Sequence, residues 1–499
     1  MLSKPMNKLL NWFKILDKNI LKILFIFFIL FIPLYPKFPL FDIEYTYIYI
    51  RFEDFFVVFI TAIFLIQLLR KRITLNKKFL VPIILFWLAD FLSFLCGYYY
   101  LKTIPVDYIG FLHAARRIEY MIIFLIVSSL IKSKKDFFFY FKFILSTLFI
   151  VAFYGLGQKF FGWPAVQTMN PEYAKGYLLF LTPEARISST FAGHYDLASY
   201  IVFFIPLVLS FYFLKKQFRY FLLFIFCLTT LVFTASRVSY IAYIVSTLPF
   251  LIFLKKPKVL VTVIILTIGL TLLSNNLTSR LKRTFQVKRI FVNQKTDEVF
   301  IPQTITSKEL PAGSFYVRLN NQRDLNDNDA YKQSIIEEKE KQLKKQGIIL
   351  SDKERVDMIA SLSANLKPMN TILSDISFAT RLQLEWPRAI KAFLKNPLLG
   401  TGPSSITEAT DNDYLRWLGE FGFVGTALFL TILFLIAKTI FQSAKISHQK
   451  QGYLWWGFLF GYFALLINAS YIDVFEASKV AYNFWLVSGM FIALTKKSI

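Results

Sequence analysis

The sequence has little of what metal or thiol chemistry needs: two cysteines and three histidines in 499 residues. Cys96 and Cys227 each fall inside an apolar run, form no disulfide or metal pattern, and say nothing about redox compartment. His113, His194 and His448 show no metal-ligand spacing, so a metal site is not expected. A glycine-rich Walker loop, HExxH, CxxC and GxSxG are all missing, and so is any repeat of fixed period. Acidic residues are also scarce, 32 against 57 Lys and Arg, which leaves a formal net charge of +25.

What the chain does have is apolar length. It is 56% hydrophobic and 18% aromatic, and runs of about 20 apolar residues, enough to cross a bilayer's hydrocarbon core, recur along it. Twelve crossings are expected, at 19–35, 53–69, 79–98, 109–131, 137–157, 191–214, 219–235, 239–254, 258–275, 414–437, 452–471 and 479–495. The fold class is therefore an all-α polytopic membrane protein with a long extracytoplasmic mixed loop before the tenth span. The opening lysines and apolar core lack a small-residue cleavage pattern, so the N-terminus reads as the first anchor.

The excess positive charge punctuates these runs. Arg70, Lys71 and Arg72 follow the second, Lys132, Lys134 and Lys135 the fourth, Lys215, Lys216 and Arg219 the sixth, and Lys255, Lys256 and Lys258 the eighth. With twelve spans every cluster falls on one side, the positive-inside pattern with both termini cytoplasmic. Nucleic-acid binding is not needed to explain the charge.

The long hydrophilic segment 276–410 is then outside. Long loops escape the charge rule, so its 21 basic against 15 acidic residues do not contradict the orientation. Its first part has short alternating runs that suggest a few strands. Its middle is charged and helix-forming, broken at Gly347. RLQLEWPRAIKAFLK has apolar residues at helical spacing. A loop this long without a job is uncommon.

Shorter outside segments concentrate polar residues: Arg51 and Asp54 in one, Arg186, His194 and Asp196 in another, Arg237 in a tight turn, and TDNDYLRWLGEFGFVG at 410–425. One arginine at a span end usually snorkels; several on the face opposite the basic anchors ask for a function. Asp90 and the Arg116–Arg117 pair fall within or beside spans, where mutual ion pairing is the bland reading and an ion path the sharp one. In 410–425, Asp413, Arg416 and Glu420 share a helix face, which fits an ion-pair ladder as well as a site. Asp411 fits either a helix cap or a proton acceptor. Gly419, Gly422 and Gly425, at three-residue spacing, read as a close approach by a neighbouring helix. Asp-x-Asp occurs at Asp327–Asp329 and Asp411–Asp413, a signature similar to the metal motif of nucleotide-sugar enzymes, but an outside location keeps it from cytoplasmic nucleotide sugars.

Four ordered stretches, RISSTFAGHYDLASYIVFFIPL (186–207), TASRVSYIAYIVS (234–246), RLQLEWPRAIKAFLKNPLLGTGPSSI (381–406) and DNDYLRWLGEFGFVG (411–425), make the chain resemble the O-antigen ligase/polymerase family. These are bacterial membrane glycosyltransferases that handle polyprenyl-linked glycans. The resemblance covers 186–437, including the 276–410 loop, between an N-terminal region 1–185 and a C-terminal region 438–499. It implies transfer of a glycan from an undecaprenyl-diphosphate donor to a glycan, lipid or protein acceptor at the outer face of the bacterial cytoplasmic membrane, without metal, nucleotide or other cofactor. With no metal, the leaving diphosphate needs arginine forks. Arg237, Arg381 and Arg186 are the candidates in that order, with Arg388 sharing a face with Arg381 if their helix continues through Pro387.

Ligases of this family place a histidine ahead of Asn-x-Tyr-Leu, and here Asp411 stands there, with Asp413 as rival carboxylate and Arg416 and Glu420 in support. The departure tilts the reading towards a polymerase. A peptidoglycan polymerase of the shape and division class is a related alternative. A lipid-linked glycan flippase or other transporter is the non-enzyme one, and it calls for paired halves and charges along a central path.

Overall fold

A computed structural model describes the chain apart from residues 1–2, 47, 169–173, 283–284, 294–298, 302–315, 319–327, 346–350, 375–380, 407–409, 448 and 496–499. Asp327 of the first Asp-x-Asp pair and His448 lie outside the described residues. In chain order the helices are α1 (Ser3–Leu34), α2 (Phe52–Leu69), α3 (Lys77–Leu95), α4 (Asp107–Leu130), α5 (Lys134–Phe160), α6 (His194–Lys215), α7 (Phe218–Thr234), α8 (Arg237–Phe253), α9 (Pro257–Leu273) and α10 (Asn275–Lys282). After these come α11 (Asn328–Lys345), α12 (Asp352–Asn365), α13 (Trp386–Lys395), α14 (Asp413–Ile446), α15 (Gln449–Ala469) and α16 (Ser478–Thr495). Two compact units result, one formed by Met1–Thr278 with Arg388–Ile499, the other by Ser279–Pro387.

The second unit holds strands as well as helices. β1 (Phe285–Asn293) pairs antiparallel with β4 (Leu366–Ser374) along its whole length and with β2 (Val299–Ile301) at its end, and β2 runs parallel to β3 (Tyr316–Arg318). Gly347, where a helix break is expected, lies outside the described residues; Arg355 of α12 bonds Glu340 of α11 at 2.7 Å. Arg381 opens a π-helical turn, Arg381–Glu385.

In the first unit, each of the twelve apolar runs is helical. By length and apolarity alone, six of the described helices can cross a membrane, or seven if Pro257–Leu273 and the bent continuation Asn275–Leu281 form one span. α7 and α8, at 17 residues each, are shorter, and α4 carries Arg116, Arg117 and Glu119 in its middle.

α6 is the centre of this unit, buried from Leu197 to Phe211. α15 reaches it closely because Gly457 and Gly461 have no side chain: a Cβ on Gly461 would sit 2.2 Å from the Phe203 carbonyl oxygen. In lipid there is no water to expel from between helices, so such backbone approach is how they gain contact. α16 is also buried throughout. Peripheral helices divide by face. On α3, Phe79, Ile83, Phe86 and Asp90 turn inward, while Val81, Leu85, Leu88 and Leu92 form an exposed apolar stripe suited to acyl chains.

Candidate active site

The 410–425 stretch folds as a tight turn leading into α14. The side-chain oxygen of Asn412 accepts the Leu415 N–H at 3.1 Å, so Asn412 caps the helix, and the cap role open to Asp411 is taken by its neighbour. Asp411 adopts a left-handed backbone, φ 51°, a conformation aspartate tolerates better than most residues.

Asp473, in the turn between α15 and α16, holds that backbone in place. Its carboxylate accepts the N–H groups of Thr410 (2.8 Å), Asp411 (3.0 Å) and Asn412 (3.0 Å) and binds the Arg416 guanidinium at 3.0 Å. Three successive N–H groups around a left-handed residue form an anion-holding nest, here filled from within the protein.

Asp413 clamps the same turn from the other side. It is fully buried, and its Oδ2 accepts Val474 N–H at 2.8 Å and Phe475 N–H at 3.2 Å. That post gives Asp413 a structural role in holding the turn. Arg416 and Glu420 do approach each other, at 3.7 Å.

Glu420 also bonds Arg117 of α4, and Arg117 further engages Glu476 at 2.9 Å and Asp90 at 3.4 Å, its guanidinium lying 4.2 Å from the Phe421 ring centre. Arg116 pairs with Asp54 at 3.4 Å. Buried charges persist only when paired and hydrogen-bonded, and losing one partner costs about 3–5 kcal/mol. The arginines of α4 thus tie α3, α14 and the 470–477 turn together.

Behind the turn, α14 breaks at Gly422, whose φ of 63° and ψ of −162° are non-helical. The NPLLGTGP loop docks on the break. Thr401 N–H bonds Gly419 O (2.9 Å), Gly402 N–H bonds Glu420 O (3.0 Å), and Phe423 and Val424 donate to Pro397 O and Leu398 O (2.7 and 3.1 Å). A Cβ on Gly422 would lie 2.5 Å from Leu398 O, and one on Gly400, itself at φ 72°, 2.4 Å from Glu420 O. The three-residue glycine spacing therefore marks a loop-filled kink at Gly422, a correction to the simple helix approach. Only Gly419 meets a helix backbone, Ala389 O of α13, 2.9 Å from where its Cβ would be. Arg388 on α13 donates to Ile406 O at 3.4 Å. Arg381 belongs to the second unit.

The arginines at the other motifs form a second group. Ile187 N–H bonds Phe233 O at 3.4 Å, which sets Arg186 beside the corner where α7 ends and α8 begins with Arg237. Arg237 is buried; Arg186 is half-buried, 5.7 Å from the Tyr195 ring centre. The chain continues through Thr190, whose hydroxyl donates to Pro33 O at 2.5 Å.

The 470–479 segment joins the two groups. Lys479, at the start of α16, donates to the carbonyls of Thr190 (2.6 Å), Tyr35 (2.7 Å) and Pro33 (3.0 Å), satisfying all three ammonium protons. Its neighbour Ser478 bonds Glu53 at 3.0 Å, and Glu53 and Ser478 both bond Lys37. Asp196 lies within electrostatic reach of Lys37, Lys479, Arg51 and Asp411. These polar residues are thus one neighbourhood: three cations (Lys37, Arg51, Lys479) and three carboxylates (Glu53, Asp196, Asp411). Burial pushes the Lys37 ammonium below the ordinary lysine range, with Glu53 opposing the shift and Arg51 adding to it. Burial likewise lowers Arg51.

Sequence reasoning missed Asp473, Glu476, Lys479, Lys37 and Glu53. The available signal was SYIDVFEASK, a turn between two spans with two acids and a lysine.

The helices and their apolar faces define a multi-pass membrane protein. Residues 222–430 match the family model described as O-Antigen ligase, which supports the O-antigen ligase/polymerase family for this region of the chain. No curated protein matches the chain. The domain supports a membrane glycosyltransferase activity of the ligase/polymerase type, which implies a lipid-linked glycan donor and a bacterial inner-membrane setting.

Proposed function

We propose that the protein transfers or polymerises a glycan from an undecaprenyl-diphosphate donor at the outer face of the cytoplasmic membrane, as a twelve-span protein with both termini cytoplasmic. The observation that carries this reading is the convergence of the outer polar motifs on the 470–479 segment, Asp473 gripping the Asp411 turn and Lys479 the Thr190 turn that follows Arg186.

The chemistry follows from the residues. The acceptor sugar hydroxyl attacks the anomeric carbon of the donor glycan, the anomeric carbon–oxygen bond to the diphosphate breaks, and undecaprenyl diphosphate leaves with the bonding electrons. Asp411 takes the hydroxyl proton. Arg237 and Arg186 stabilise the charge developing on the leaving diphosphate, without a metal. Asp411 in place of histidine favours a polymerase, whose acceptor is a second lipid-linked glycan, over a ligase with a lipid or protein acceptor.

Membranes containing the protein, supplied with a defined polyprenyl-diphosphate oligosaccharide, test this. Chain extension with the donor alone supports polymerisation. Product only on adding a separate lipid acceptor supports ligation. Donor reaching the other leaflet with neither product supports the flippase alternative and overturns the transferase reading.

A further inference from the structure

At the basic ends of the helices, α5 and α7 line an open cavity of about 570 Å³. Its two charged lining residues are Lys142 and Arg219, and no carboxylate is among the residues that line it. Its walls are apolar, with Phe149, Ile150, Leu222 and Leu223 prominent.

Lys142 is the informative residue. It stands in KKDFFFYFKFILSTLFIVAF, two turns inside an otherwise apolar stretch of α5 and about 12 Å along the axis from the helix start at Lys134. A lysine at that depth can snorkel to the interface, yet here it and Arg219, the second residue of α7, flank one cavity. The Arg219 guanidinium lies 5.1 Å from the Tyr220 ring centre and donates to its hydroxyl at 3.3 Å.

A second cavity at the same end gives a contrast. Lined by Lys22, Arg72 and Lys132, it also contains Asp17, and the Asp17 carboxylate pairs with Arg70 at 2.8 Å and Arg72 at 2.5 Å. There the protein supplies its own anion; between α5 and α7 it does not.

We propose that the α5–α7 cavity binds an anionic glycerophospholipid, its phosphate between Lys142 and Arg219 and one acyl chain along Phe149, Ile150, Leu222 and Leu223. Basic cavities between membrane helices hold acidic head groups because the cations gain a counter-charge and the hydrocarbon wall gains a chain. The binding is separate from glycan transfer and does not depend on that reading.

The test uses the full chain in a neutral detergent. Phosphatidylglycerol, phosphatidylcholine and inorganic phosphate are added separately, with bound lipid counted by native mass spectrometry and the unfolding midpoint recorded. Phosphatidylglycerol stays bound and raises the midpoint, whereas phosphatidylcholine and phosphate do not. Lys142→Gln and Arg219→Gln each weaken phosphatidylglycerol binding about fivefold, the effect of one cation at a membrane surface, while Lys71→Gln at the same end leaves it unchanged. Should either variant fail to fold without lipid, the other carries the comparison. Equal retention of phosphatidylcholine, an equal midpoint rise with phosphate alone, or undiminished phosphatidylglycerol binding by the folded variants overturns the proposal.

Discussion

The Asp473 carboxylate accepts the backbone N–H of Asp411 at 3.0 Å, across 62 residues of sequence, and accepts the N–H groups on either side of it as well. The residue proposed as proton acceptor is thus held in place by its backbone. Removing the carboxylate in Asp473→Ala strands three N–H groups and one partner of Arg416, and a loss of stability of about 3–5 kcal/mol is expected. Asp473→Asn keeps the shape and part of the bonding and should cost less. Thermal unfolding in detergent ranks the two; equal midpoints for Asp473→Ala and wild type would contradict the assignment.

Arginines of two kinds should separate by phenotype. Arg117 binds Asp90, Glu420 and Glu476, so Arg117→Ala leaves three carboxylates short of a partner and should reduce folded protein in membranes several-fold. Arg237→Ala should lower transfer at least a hundredfold, the scale of losing one charge-stabilising donor and more than any loss of folded protein. Folded yield by size-exclusion of tagged protein, beside transfer activity, shows whether the two dissociate.

Gly422→Ala tests the kink. Its φ of 63° penalises any side chain, and the new Cβ would collide with Leu398 O and Gly400 N at 2.5 Å. A cost above about 1–3 kcal/mol is expected, since strain and overpacking add. Gly425→Ala, at a helical position where the close neighbour is the Phe421 side chain, should cost less. The ratio of unfolding midpoints checks the order.

Lys37 gives a pH signature. Burial sets its folded pKa below the unfolded value of about 10.4, so between the two values the unfolded chain holds more protons and stability rises with pH. Lys37→Met should flatten that alkaline rise in unfolding midpoints; a slope the same as wild type would contradict it.

Local patterns in the sequence could be read directly. The twelve apolar runs are helices, and Asp90 pairs with Arg117. What could not be read was set by distant partners. Asn412 and Asp411 are equally good caps by residue type, and Asp473 decided between their posts. Lys37 and Lys479 looked like any lysines near span ends, but their partners are the carboxylate of Glu53 and the carbonyls of Thr190, Tyr35 and Pro33. Gly422 carries no mark of positive φ in its spacing, because a three-residue repeat serves helix packing as well as it serves a kink.

The most direct measurement is transfer from a defined polyprenyl-diphosphate oligosaccharide by reconstituted Asp411→Asn protein. Asparagine preserves size, tolerates the left-handed backbone and keeps the N–H held by Asp473, but cannot take a proton as carboxylate does. The proposal expects normal insertion and unfolding midpoint with a rate at least a hundredfold lower. A wild-type rate from Asp411→Asn would contradict the assignment of Asp411 as proton acceptor.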